Sequence, residues 1–98
     1  MGNSLKSAQF LLESRFRDAA SGRPEALFDL GVCYSTGTSG AGIDLIEAHK
    51  WFNLAAMYGL AEAADARTEV AEDMTAREIA EAQRQARAWL GTTQRRAA

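Results

Sequence analysis

Phe16-Arg17-Asp18-Ala19-Ala20-Ser21-Gly22, followed by Ala26, reappears as Phe52-Asn53-Leu54-Ala55-Ala56-Met57-Tyr58-Gly59, followed by Ala63. Each copy reads Phe-x-x-Ala-Ala, a gap of one or two residues, Gly, three more residues, then Ala. The offset is 36 residues at the aromatic and 37 at the glycine. A period in that range, filled by paired helices, marks a helical solenoid. Solenoids serve mostly as surfaces that hold other proteins, so the pattern favours a binding module over an enzyme.

Working outward, the chain divides into five expected helices. Leu5, Ala8, Leu12, Phe16 and Ala19 recur at three- and four-residue steps, predicting a helix from about Ser4 to Ala20 that Phe10 and Leu11 widen. Gly22 ends it, and Pro24 suits the first turn of the next, where a missing N–H costs nothing. That second helix carries Leu27, Leu30, Gly31 and Tyr34 on one face. Gly31 costs about 1 kcal/mol of helix propensity, which predicts close passage of a neighbouring backbone. Ser35 to Ile43, with Gly37, Gly40 and Gly42, reads as a loop.

Asp44 caps the third helix with Glu47 as its reciprocal partner, and Ala48, Trp51, Phe52 and Ala55 form its inward stripe. The fourth helix follows Gly59 and turns Ala63, Ala66, Val70 and Ala71 inward. Thr75 and Glu78 make a second capping box, with Met74 placed to staple against Ile79. The fifth helix buries Ile79, Ala82, Ala86 and Trp89, with Gly91 as its expected C-cap and a frayed tail from about Thr92.

Ninety-eight residues suffice for one domain that buries about two-thirds of the unfolded chain's surface. Twenty are alanine and one is proline, so closely apposed helices are the economical reading. A net charge of -2 gives no electrostatic footprint for nucleic acid. No long apolar run opens the chain, which predicts neither a secretory signal nor a membrane span and makes the cytoplasm the default location. Met1-Gly2-Asn3-Ser4-Leu5-Lys6 places Lys where an acylation signal wants Ser or Thr.

Ala26-x-x-x-Leu30-Gly31-x-x-Tyr34-x-x-Gly37, then the Gly-rich loop, Asp44, Ala48, Trp51-Phe52, Ala55-Ala56, Gly59 and Ala63 resembles the Sel1-like repeat, a relative of the tetratricopeptide repeat. The likeness is close over residues 26–63, with partial units on both sides. Two departures stand out. Thr38-Ser39-Gly40-Ala41-Gly42-Ile43 makes the loop about one residue longer than usual, and Arg67-Thr68 replaces the Leu-Gly pair in the terminal unit, as suits a capping unit.

The resemblance implies an all-α, alpha-alpha superhelix of about five antiparallel helices forming a single domain over 1–98. It implies a non-enzymatic adaptor or scaffold, of the kind found in bacterial signalling or secretion-related assemblies. Such a module holds a partner protein or peptide on a concave groove and needs no cofactor.

In the related tetratricopeptide architecture the first helix of each pair lines the concave side. Carried onto this chain, the groove positions are Glu25, Phe28, Val32 and Ser35, and one period later Glu62, Asp65, Glu69 and Glu72. The last four step by three and four, so the acids share one helix face, where like charges oppose one another and a basic partner could relieve them. The plain alternatives are a solvated helix face for the acids and ordinary packing for Phe28 and Val32.

A homodimer through exposed solenoid ends, Trp89 with Leu90 or Phe10 with Leu11, is the chief competing expectation. Cys33 and His49 are the remote basis for an enzyme. Nothing in their spacing recommends a nucleophilic pair, and a metal site would need at least three well-placed ligands. Cys33 reads as a small core hydrophobe. Gly37, Gly40 and Gly42 lack the Gly-Lys-Ser/Thr and the preceding strand of a phosphate loop.

Overall fold

The computed structural model describes the backbone of residues 3–38, 40 and 42–97, and the side chains of residues 10, 13–38, 40 and 42–93. The expected inward stripe through Leu5, Ala8 and Leu12, with Leu11, lies outside the described side chains. Five helices follow in order: α1 (Asn3–Ala20), α2 (Pro24–Thr36), α3 (Leu45–Met57), α4 (Ala61–Ala71) and α5 (Ala76–Ala97).

The punctuation works largely as the residue types dictate. Gly22 and Gly59, the two glycines of the repeated pattern, both adopt positive φ (79° and 106°), a conformation that an L side chain resists. Each turns the chain out of one helix and towards the next, and Ala26 and Ala63 then enter the core. Pro24 starts α2, and Gly37 closes it with its N–H donating to Cys33 O at 2.8 Å. α2 runs two residues further than the loop-like composition suggests. The hydroxyls of Ser35 and Thr36 donate back to Val32 O (3.1 and 2.7 Å), satisfying a carbonyl of the last turn.

The two capping boxes differ. At α5 both reciprocal bonds form: Glu78 N–H to Thr75 Oγ1 at 3.1 Å and Thr75 N–H to Glu78 Oε1 at 2.8 Å. At α3 only half of the box exists, Glu47 N–H to Asp44 Oδ1 at 3.1 Å. Asp44 N–H donates instead to Tyr34 O at 2.9 Å, tying the loop to α2. The Glu47 carboxylate is thereby free for Lys50 Nζ and Trp51 Nε1, each at 2.8 Å.

Gly91 does not end α5. The helix continues to Ala97, so the expected C-cap at Gly91 is corrected. An interior glycine costs only about 1 kcal/mol, too little to stop a helix already established over fifteen residues.

α3 is the hub, packing against α2, α4 and α5, while α1 packs on α2. Leu27, Leu30, Leu54, Ala55 and Ala63 are fully buried around it, joined by Ala19 and Ala86. Alanines at the crossings let the helix axes approach closely, leaving the aromatics to fill the remaining gaps. Trp51 is edge-on to Phe16 of α1 and to Trp89 of α5, both at 5.8 Å between centroids. Gly31 makes the close approach that its position predicts, but the neighbour is the Phe52 ring rather than a backbone.

The radius of gyration is 13.3 Å, close to the ~13 Å of a compact 100-residue chain. The result is an all-α fold whose helices pack sequentially in a superhelical manner, consistent with a generic helical-repeat architecture. Among the described residues, no helix is long and apolar enough to cross a membrane.

Candidate protein-binding cleft

A cleft of about 390 Å³ opens between α2 and α4, with α3 behind it. Its apolar lining comes from Phe28 and Val32 of α2, Leu45 and Phe52 of α3, and Ala66 and Val70 of α4. Ser35, Thr36, Glu69 and Asp73 supply the polar part. The helical period explains the set: 28, 32 and 35 on α2 face 66, 69, 70 and 73 across the gap. Phe28 is half-buried, its ring tilted by 50° against Phe52 at 5.2 Å, and Val32 is 36% exposed.

Four of the eight residues expected at a groove therefore meet: Phe28, Val32, Ser35 and Glu69. Glu25 is exposed in the first turn of α2 and does not line the cleft. Glu62, Asp65 and Glu72 are exposed on or just beyond α4, outside the cleft lining. Leu45 and Asp73 line it without having been expected there. Asp73 lies one helical step of four beyond Glu69, a spacing that could have signalled it. Leu45 follows the α3 cap, and its position depends on how the preceding loop folds back.

The charges near the cleft are of one sign. Glu69 and Asp73 are exposed at it, and no Lys or Arg is among the described residues that line it. Arg67, the one basic residue of α4, donates from Nη1 to Asn53 Oδ1 of α3 at 2.6 Å, so it is engaged on the side facing α3.

Cys33 and His49 are both buried, 4% and 3% exposed. No hydrogen bond joins them among the described residues. His49 Nδ1 has no hydrogen-bond partner there, and burial, with Arg67 nearby, pushes the imidazole pKa below its ordinary value. Tyr34 is pushed above its ordinary value by burial, then by Glu47, Asp44 and Cys33. No group of three or more His, Cys, Asp or Glu is arranged to hold a metal ion among the described residues.

A larger hollow, about 710 Å³, lies between the α1–α2 turn and the end of α5. Tyr58, Trp89, Thr92 and Thr93 are among its walls, and no charged side chain lines it among the described residues. It contains none of the eight expected groove positions.

No family model, curated protein or solved structure matches the chain. The compact all-helical fold is consistent in general with a non-catalytic scaffold or interaction module.

Proposed function

We propose that this chain is a Sel1-like, non-enzymatic protein-interaction module that holds a segment of a partner protein in the α2–α4 cleft. The observation that carries the reading is the meeting of Phe28, Val32, Ser35 and Glu69 at one open, partly apolar hollow. Those positions vary between repeat units, whereas the repeated Phe, Ala and Gly positions build the turns and the packing. The unit from 26 to 63 serves as the framework, and α4 with α5 forms a terminal unit. There Thr68, the counterpart of Gly31, is exposed and donates to Ala64 O at 3.0 Å rather than receiving a neighbour.

The test is site-directed photo-crosslinking in cells. A crosslinking residue at position 32 is expected to capture a discrete partner, and one at the exposed Ala80 of α5 is not. Equal capture from both positions, or none from position 32, would remove the cleft as the docking site.

A second reading, self-association, draws on Phe10 of α1, which is 63% exposed. Trp89 and Leu90 support it less, because both pack against the core. Sedimentation of the wild type and of Phe10→Ser separates the readings, since only self-association responds to the substitution.

A further inference from the structure

We infer that the cleft's occupant is a basic segment of a protein, in which an apolar side chain enters between Phe28 and Val70 and a flanking Lys or Arg meets Glu69 and Asp73. The inference rests on the proposed docking function and specifies the partner.

Two kinds of observation define the chemistry. The interior between α2 and α4 is apolar, with Phe28 and Val32 left partly open to solvent. A side chain of Leu or Met type would remove that surface from water at roughly 25 cal/mol per Å². The polar end of the same hollow bears Glu69 of α4 and Asp73 of the turn that follows it.

The backbone adds the same sign. Ser35 and Thr36 close α2, and Asp73 follows the end of α4, so two helix carboxyl ends flank this part of the cleft. Each carries partial negative charge from its terminal carbonyls. The amino end of α3, which would oppose them, begins at Leu45 behind the acidic cap Asp44. Arg67 is not among the lining residues, and its Nη1 donates to Asn53 Oδ1 of α3. The local field therefore favours a cation next to an apolar anchor and disfavours an acidic segment, and part of the affinity must fall with added salt.

Three amidated peptides of about twelve residues form the test. The first has Leu at every fourth position with Lys and Arg between, the second replaces the bases by Glu, and the third replaces Leu by Ser. Each is titrated into the intact protein and followed by two-dimensional NMR. The basic Leu peptide is expected to shift Phe28, Val32 and Val70, and its affinity to fall about tenfold in Glu69→Lys/Asp73→Lys. Both positions are exposed, and circular dichroism verifies that the variant is folded.

Equal binding of the Glu peptide at Phe28 and Val32 would overturn the basic-segment inference and leave the docking reading standing. So would equal binding of the Ser peptide with shifts only at Glu62, Asp65 and Glu72, if position 32 still captured a partner in cells. Concentration-dependent shifts at Val32 without peptide would make a second copy the occupant and overturn the inference. No shift at the cleft with any peptide, together with no crosslink from position 32, would overturn both.

Discussion

The Phe52 ring occupies the space that a side chain at residue 31 would fill. A Cβ on Gly31 would lie 2.5 Å from Phe52 Cε1 and 2.9 Å from Cγ, closer than real carbon contacts come. Two effects then oppose each other in Gly31→Ala. Helix propensity favours alanine by about 1 kcal/mol. Overpacking costs typically 1–3 kcal/mol, and the 3%-exposed ring of Phe52 has little room to withdraw. The expected result is net destabilisation of up to about 2 kcal/mol by urea unfolding. Phe52→Leu alone leaves space, so the double variant should lose less than the two single losses added together. Simple additivity would show that the ring is not what excludes a side chain at residue 31.

Trp51 ties three helices together, and its contributions can be separated. The ring meets Phe16 and Trp89, Lys50 Nζ stands 4.7 Å from its centroid, and its Nε1–H donates to Glu47. Trp51→Phe keeps most of the apolar contact and loses the hydrogen bond, for an expected loss of about 1 kcal/mol beyond the volume change. Trp51→Ala should cost about 3–5 kcal/mol. A total stability of roughly 5–15 kcal/mol leaves little margin for that loss in a chain of this length. Thermal melts monitored at 222 nm distinguish the two variants, and comparable melting of both would mean that the aromatic contacts contribute little.

The parts of this fold legible in the sequence are those decided locally. Gly22, Gly59, Pro24, Asp44 and Thr75 each impose a backbone geometry or a hydrogen bond on near neighbours, and the helix boundaries follow them. The resemblance to tetratricopeptide-type repeats named Phe28, Val32, Ser35 and Glu69 among the groove positions, and these four line the cleft. The illegible parts depend on what lies across the gap. Spacing shows that Gly31 faces inward but not that a ring covers it. It marks Glu47 as a capping partner but not that Trp51 and Lys50 take its carboxylate first. His49, polar and surrounded by a typical helix pattern, gives no sign that it will be buried. Of the acidic stripe, only Glu69 turns out to line the cleft, because a face defined by four residues on one helix is wider than the contact that a neighbouring helix makes with it.

The complete box at the start of α5 should be a local stability determinant of the α4–α5 turn. Thr75→Ala removes the acceptor for Glu78 N–H and keeps the backbone N–H that Glu78 Oε1 accepts from, at an expected cost of about 1 kcal/mol. Amide hydrogen exchange in the first turn of α5 should speed up about fivefold, while the core amides of α3 change only as far as global stability does. Asp44→Ala likewise removes one side-chain acceptor, that of Glu47 N–H, and should loosen the first turn of α3 to a comparable extent. Equal acceleration throughout the chain after Thr75→Ala would mean that the turn opens only with global unfolding.

His49 should make the fold sensitive to mild acid. The imidazole is 3% exposed, with Nδ1 unpartnered among the described residues, and burial followed by Arg67 lowers its pKa from 6.5. The folded chain therefore resists a proton that the unfolded chain accepts near pH 6.5. Its stabilising contribution is complete above that pH and declines as pH falls from 6.5 towards the lowered folded value. One such group gives a slope of at most about 1.4 kcal/mol per pH unit. Urea unfolding of the wild type should thus weaken between about pH 6.5 and 5.5, a range in which ordinary carboxylates stay ionised. His49→Gln lacks the titrating group and should be flat across the same interval, whatever its absolute stability. The same decline in both proteins would assign the acid sensitivity to other groups and mean that His49 takes up its proton as readily in the folded chain as in the unfolded one.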